Sequence, residues 1–120
     1  MQHQQKRVFK CQVLQSLPHA HIAMHLMERV CYDVNAMMSR NSLMVGSLEE
    51  FYPSPERPYL RGLNREKGHR IFLRLRKHEN GLEFMDYAMI LNTFVHELTH
   101  NFITEHSQHF GNCIWFYGQR

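Results

Sequence analysis

Residues 90–106 of the chain read ILNTFVHELTHNFITEH. Apolar residues recur there at three- and four-residue steps, the spacing of one face of an α-helix. This stripe begins upstream and contains Tyr87, Ile90, Leu91, Phe94, Leu98 and Phe102. Asp86 precedes it and suits the N-cap position of a helix. On such a helix His96 and His100 project about 40° apart and roughly opposite the stripe. We therefore expect both histidines to face away from the core.

The histidine spacing has the pattern of a zinc site. Two imidazoles one helical turn apart can bind one zinc ion, and a third protein ligand leaves a fourth position open. His106, placed on a loop after the helix, is the candidate third ligand. An open position favours catalysis, because zinc polarises a peptide carbonyl while Glu97 takes a proton from water and passes it to the leaving amine. The pattern predicts a zinc-dependent peptidase with ligands His96, His100 and His106 and general base Glu97.

Length and composition indicate a single packed domain. The chain has 120 residues, of which 43% are hydrophobic and 12% aromatic, and this composition excludes a disordered protein. No apolar run approaches the roughly 18 residues of a membrane span, and the N-terminus lacks the apolar stretch of a secretory signal. The three cysteines, Cys11, Cys31 and Cys113, form no CxxC pair, so we expect reduced thiols. These features predict an intracellular protein without membrane partners, and the absence of acids before Glu28 leaves a mitochondrial address as the alternative.

A second helix is predicted upstream of the histidines. Ser16 is its expected cap, Pro18 stands in its first turn, and the pattern ends near Ser39. Its apolar face contains Ile22, Ala23, Leu26, Met27, Val30, Val34, Met37 and Met38. Such a face requires a packing partner.

Four strands are predicted around these helices. They cover residues 8–14, 43–52, 59–63 and 69–76, with a turn at residues 64–68. The predicted fold is α+β, a small zincin-like metalloprotease domain. A mostly antiparallel or mixed sheet packs on two main helices, and the histidine motif lies on the second.

Basic residues are concentrated in one part of the chain. Eight of the 14 Lys and Arg residues lie there: Arg57, Arg61, Arg65, Lys67, Arg70, Arg74, Arg76 and Lys77. In residues 70–76 arginines and Phe72 alternate with apolar residues, which predicts one apolar and one mostly basic strand face. This face could bind DNA phosphates without sequence preference, could simply be solvated, or could hold an extended substrate by strand addition.

Beyond the histidine motif, the chain resembles the WLM domain of weak-suppressor-of-SUMO-type metalloproteases, which are related to Spartan and SprT-like enzymes. The resembling segments are VLQSLP (13–18), VGSLEEFYP (45–53), LRGLNREKG (60–68), IFLRLR (71–76) and ILNTFVHELTHN (90–101). The resemblance implies an intracellular, nuclear zinc protease that degrades proteins crosslinked to DNA. DNA, expected to be single-stranded, activates such proteases, and SUMO or ubiquitin recruits them.

The resemblance also implies residue roles. His96, His100 and His106 match the family's zinc ligands, and Glu97 matches its catalytic glutamate. We assign the implied DNA contacts to Arg61, Arg65, Lys67, Arg70, Arg74, Arg76 and Lys77. The group that stabilises the oxyanion is left open among Tyr52, Tyr59, Tyr87 and His109.

The sequence departs from the family near its end. Thr104 and Glu105 stand where the family usually has Gly-Pro, and Ser107 replaces its asparagine or aspartate. We therefore expect either a less ideally placed His106, with weaker zinc binding, or a different path of the loop. We expect a polar N-terminal segment at residues 1–7, the metalloprotease domain at 8–110 and a short, truncated tail at 111–120. The alternative function is a DNA- or SUMO-binding module with a vestigial zinc site.

Overall fold

The computed structural model describes residues 6–106, and it describes side chains within this range as far as His100. In chain order the elements are β1 (Val8–Gln12), α1 (Ala20–Arg40), β2 (Val45–Phe51), β3 (Gly62–Arg65), β4 (Arg70–Arg74) and α2 (Tyr87–His106). Two helices with one small sheet confirm the predicted α+β class. Neither helix is both long and apolar enough to cross a membrane, as far as the described residues go.

The four strands form one mixed sheet in the order β1-β2-β4-β3. β1 is parallel to β2 and β2 to β4, whereas β3 runs antiparallel to β4. The prediction of a mixed sheet is confirmed, but the predicted antiparallel majority is wrong. The reason is topological, since α1 carries the chain back across the sheet between β1 and β2 and so makes these strands parallel. β3 lies at the edge beside α2.

Helix α1 begins three residues later than Ser16 as its cap predicts, at Ala20. Its N-cap is His19, which has a left-handed backbone conformation with φ of 61° and no side-chain capping bond. The His19 carbonyl instead accepts hydrogen bonds from the amides of Ile22 (3.0 Å) and Ala23 (3.1 Å). Main-chain bonding therefore starts the helix, and the assignment of Ser16 as the cap was wrong.

β3 also lies further along the chain than predicted. It begins at Gly62 and includes Asn64 and Arg65, which the sequence assigned to a turn. The reversal into β4 occurs at Glu66 and Lys67, where φ is 56° and 54°. The shift places Gly62 and Asn64 within the strand, where both contact the helix.

The core lies between the sheet and the two helices, and the apolar stripes of both helices enter it. On α1 the buried positions are Ala23, Met27, Val30, Val34 and Met38. On α2, Ile90, Phe94 and Leu98 are at most 1% exposed. The sheet contributes Leu48 paired with Ile71, and residues paired across strands share one face. Both predicted stripes are confirmed at these positions, but Ile22 is 39% exposed and the side chain of Phe102 lies outside the described residues.

Arg76 is fully buried, which corrects its assignment to an exposed basic face. Its Nε donates to Glu50 Oε2 at 2.8 Å, and both side chains are inaccessible to solvent. Its Nη1 donates to the carbonyls of Pro18 and Gly81, while the other Glu50 oxygen accepts from the Leu14 amide at 2.9 Å. The enclosed guanidinium thus links the segments that precede α1 and α2, through Pro18 and Gly81, to the sheet. It has no exposed surface that could contact a phosphate.

Candidate functional site

The two histidines of the HELTH segment lie side by side on the exposed face of α2. The ring centroids of His96 and His100 are 4.4 Å apart, with an angle of 59° between the ring planes. Phe94, which precedes both histidines, and Leu98, which lies between them in sequence, are buried on the other side of the helix. The predicted orientation is therefore confirmed. Two accessible imidazoles at this spacing are chemically suited to share one divalent metal ion.

Glu97 is half-buried and faces a cleft between β3 and α2. The cleft has a volume of about 370 Å³. Its lining includes Tyr59, Arg61 and Gly62 on one side and Asn92, Thr93, His96 and Glu97 on the other. A carboxylate beside a metal-suited histidine and an open cleft can accept a proton from a water molecule held there.

Gly62 allows β3 to approach α2 closely at this carboxylate. A β-carbon at position 62 would lie 2.7 Å from Thr93 Cγ2 and 3.1 Å from Glu97 Cγ. Carbon atoms in contact normally lie 3.5–4.0 Å apart, so any other residue would push strand and helix apart. The sequence did not single out Gly62, because its neighbour on α2 is distant along the chain.

Asn64 connects the same strand to the helix backbone. Its Nδ2 donates to the carbonyl oxygen of Glu97 at 2.6 Å, and its Oδ1 accepts from the amide of Gly68 at 2.9 Å. The side chain thus holds the β3–β4 turn and α2 in a fixed relation. Asn64 was predicted only as a turn residue, and its long-range bond has no local sequence signal.

The free edge of β3 runs beside Glu97. Among the described residues only β4 pairs with this strand. The amide of Arg74 donates to the carbonyl of Arg61 at 2.8 Å. Because hydrogen-bonded pairs alternate along an antiparallel ladder, the main-chain groups of Gly62 and Asn64 point away from β4. These groups can pair with an added extended peptide.

The third predicted ligand, His106, lies in the last part of α2, where the structure describes the backbone alone. α2 continues to His106, so this residue ends the helix and does not follow it on a loop as predicted. From His100 to His106 the helix advances roughly 9 Å along its axis. His106 can therefore bind the same ion as His96 and His100 only if the chain leaves the helical path before residue 106. Within the described part of the chain, no three His, Cys, Asp or Glu side chains are gathered for a metal.

Two of the predicted DNA-binding arginines are bonded within the protein. Arg70 donates to both oxygens of Glu49, at 3.0 and 3.1 Å, and this contact lowers the pKa of Glu49. Arg74 donates to the carbonyls of Arg76 (2.9 Å), Pro58 (2.9 Å) and Lys77 (2.7 Å). Much of their positive charge is therefore already neutralised or directed at main-chain oxygens.

The other predicted DNA-binding residues remain exposed. They are Arg61, Arg65, Lys67 and Lys77. Arg61 lines the cleft beside His96. Within the described residues, the structure gives no bonding partner to the side chains of Arg61 and Arg65. These two cations flank the edge strand and are available to an anionic ligand.

The structure separates the three tyrosines among the four candidates for oxyanion stabilisation. Tyr59 lines the cleft and is 71% exposed. Tyr52 donates to the Lys77 carbonyl at 3.4 Å. Tyr87 donates to Asp33 Oδ2 at 2.6 Å, and burial and this carboxylate raise its pKa. His109 lies outside the described residues. Among the tyrosines, Tyr59 is the one at the cleft.

Comparison with known proteins gives a consistent family match. A family model described as the WLM domain matches residues 6–114. The protein named DNA-dependent metalloprotease WSS1 of Saccharomyces cerevisiae is 36% identical over 112 residues, which cover 93% of this chain and 41% of that protein. The chain therefore spans less than half the length of this relative.

Solved structures of similar proteins share the fold. The crystal structure of Wss1 from Saccharomyces cerevisiae has a TM-score of 0.83 and 35% identity, covering 98% of this chain and 91% of that one. The structure of Wss1 from S. pombe has a TM-score of 0.77 and 30% identity, covering 96% of this chain and 93% of that one. The likeness thus extends over both helices and the whole sheet.

Proposed function

The chain belongs to the WLM domain family, and we propose that it is a zinc-dependent endopeptidase whose activity depends on DNA. The observation that carries this proposal is the position of Glu97 between two adjacent, exposed histidines and a cleft beside a free strand edge. This arrangement combines metal-binding side chains, a general base and a surface for an extended peptide.

Five residues have direct roles in the proposed reaction. His96 and His100 would hold the zinc ion, with His106 as third ligand once the chain leaves the helical path before it. The ion would supply Lewis-acid polarisation of a peptide carbonyl and of the attacking water. Glu97 accepts the proton of that water and delivers it to the leaving amine. The phenol of Tyr59, which lines the cleft, would donate a hydrogen bond to the developing oxyanion.

The edge of β3 would orient the substrate. Main-chain groups of Gly62 and Asn64 bind an extended peptide as an additional strand, which brings its backbone past the Glu97 carboxylate. The Asn64 side chain fixes the helix carbonyl at Glu97 and so keeps strand and base in register. Strand addition would favour a peptide over a small ester as the substrate, because only the peptide can pair with the strand edge.

The proposed DNA contacts are the exposed cations Arg61, Arg65, Lys67 and Lys77. They support sequence-independent binding to phosphates, and the DNA dependence in the name of the Saccharomyces cerevisiae relative supports this partner. We leave Arg70 and Arg74 out of this set because Glu49 and main-chain carbonyls already occupy their guanidinium groups. Proteins crosslinked to DNA as substrates, recruitment by SUMO or ubiquitin and a nuclear location remain predictions of the family resemblance.

The first experiment compares the native chain with Glu97→Gln, measuring zinc content and cleavage of a protein substrate with and without single-stranded DNA. We expect both proteins to bind one zinc ion, and we expect the variant to lose activity by about 10²–10⁴-fold. Glu56→Gln, at an exposed position outside the cleft, is the matched control and should cleave normally. If the native chain binds zinc but never cleaves, the protein is instead a binding module with a vestigial zinc site.

The DNA contacts are tested by the salt dependence of binding. Replacing Arg61 and Arg65 together with glutamine should reduce the slope of log affinity for single-stranded DNA against log salt by about 1.4, since each phosphate contact contributes roughly 0.7. Lys10→Gln, on β1 at the opposite edge of the sheet, is the control. An unchanged slope in the arginine variant contradicts the proposed surface.

A further inference from the structure

Two free cysteines meet between the first strand and the first helix. Cys11 of β1 and Cys31 of α1 are both half-buried, and their Sγ atoms are 3.2 Å apart. Cys11 pairs with Leu48 in the sheet, so its side chain lies on the face that packs against the helices. A disulfide has a sulfur–sulfur distance of about 2.05 Å, so a small rotation of the two side chains brings the thiols to bonding distance.

Solvent reaches this pair through a groove. The groove has a volume of about 820 Å³ and lies between β1 and α1, with both cysteines in its lining. Lys6 and Lys10 lie along the same groove, and Phe9 and Tyr32 are 54% and 83% exposed. A small oxidant can therefore approach the sulfur atoms without unfolding of the domain.

The surroundings favour a thiolate at one of the two positions. The hydrogen bond with Cys31 lowers the pKa of Cys11, and the Lys6 ammonium acts in the same direction. Burial and Glu28 act against it, and the same hydrogen bond raises the pKa of Cys31. Cys11 is thus the better nucleophile and Cys31 the partner that follows, since the thiolate is the reactive form.

We propose that Cys11 and Cys31 are a redox pair that reversibly forms an intramolecular disulfide when the protein meets a hydroperoxide. The Cys11 thiolate attacks a peroxide oxygen, so the O–O bond breaks, a sulfenic acid forms and the released hydroxide takes up a proton as water. The Cys31 sulfur then attacks that sulfur, so the S–S bond forms, the S–O bond breaks and the leaving hydroxide takes the Cys31 proton to become water. Two thiols lose two electrons and two protons, and hydrogen peroxide is reduced to two water molecules.

The bond would tie the outer strand of the sheet to α1. It closes the segment from residue 11 to residue 31, which contains the connection from β1 into the helix. Such a closure restricts the unfolded chain, so the oxidised protein resists unfolding more than the reduced protein does. The reduced state is the one expected for a protein in a reducing compartment.

The test oxidises the folded 120-residue chain with hydrogen peroxide, blocks the remaining thiols and digests with trypsin. We expect a crosslinked pair of peptides spanning residues 11–29 and 30–40 that separates on addition of dithiothreitol. Oxidation should raise the thermal midpoint by roughly 5 °C or more. It should also proceed at least about tenfold faster in the folded chain than in urea, because folding holds the sulfurs together.

Two serine variants provide the controls. Cys11→Ser and Cys31→Ser should each abolish the crosslinked peptides and the rise in midpoint, whereas Cys113→Ser should retain both. The measurement on the native chain needs no substitution, so a variant that fails to fold leaves the test intact. Separate peptides after oxidation, dimers linked between chains, or faster crosslinking in urea would each overturn the proposal.

Discussion

Replacing Gly62 with alanine adds a methyl group where β3 presses against α2. The new β-carbon would lie 2.7 Å from Thr93 Cγ2 and 3.2 Å from the Phe72 carbonyl oxygen. Overpacking of this kind costs about 1–3 kcal/mol. Alanine also lowers the conformational entropy of the unfolded chain, which stabilises the folded state by about 0.4–1 kcal/mol. This gain applies here because Gly62 has no positive φ that alanine would strain. We expect a net loss of roughly 1–2 kcal/mol in the free energy of unfolding.

A second substitution identifies the cause of that loss. Thr93→Ser removes Cγ2 but keeps the hydroxyl that donates to the Met89 carbonyl at 2.9 Å. If the methyl–methyl contact destabilises Gly62→Ala, the double variant should be about 1 kcal/mol more stable than the two single effects predict. Additive effects would refute the proposed contact.

Urea unfolding measures these differences as shifts of the midpoint at constant slope. Proteolysis with DNA supplies a separate measurement, because the added β-carbon also lies 3.1 Å from Glu97 Cγ. Thr93→Ser does not relieve that second contact, so activity should recover less than stability does. A Gly62→Ala protein with native stability and native activity would refute the account of this approach.

Three further substitutions test other bonds of the described fold. Asn64→Ala should lower the free energy of unfolding, measured with urea, by about 1–2 kcal/mol. It should lower kcat more than it raises KM, because it removes the hydrogen bond to the helix carbonyl beside the proposed base; a change in KM alone would contradict this. Arg76→Met should cost about 3–5 kcal/mol, since it leaves Glu50 as an unpaired buried charge, and adding Glu50→Gln should reduce that cost. Arg70 lowers the pKa of Glu49 in the folded state. The pair therefore stabilises the fold above the ordinary carboxyl pKa, and this stabilisation is lost as pH falls through the lowered pKa. Arg70→Gln should make the free energy of unfolding, measured with urea, depend less on pH in the acid range.

Periodicity predicted the parts of this fold that depend on one element at a time. The stripe of α2 placed Phe94 and Leu98 in the core and His96 on the surface, and the structure agrees on all three. The start of α1 could not be predicted, because His19 caps the helix through its carbonyl and a left-handed backbone, while Ser16 has the favoured side chain and is not used.

The candidate site was predictable only where its residues share α2. Spacing alone brought His96, Glu97 and His100 together, since four residues make about one turn. Gly62 and Asn64 act on the same helix from a strand more than thirty residues earlier, as the 33-residue separation of the Asn64 bond shows. Nothing in the local sequence distinguishes a glycine that faces a helix from one in a turn, so the edge-strand half of the site required the structure.

The basic segment shows why a cluster of charges in a sequence does not measure a positive surface. Alternation along the strand predicted that Arg70, Arg74 and Arg76 would share an exposed face. That argument counts donors but cannot count the acceptors that folding brings near them. Arg76 meets a buried carboxylate and two loop carbonyls, whereas Arg61 meets no acceptor within the described residues. Arg61, one of the exposed cations left for a phosphate, lines the cleft, so DNA held by this residue would lie next to the proposed base.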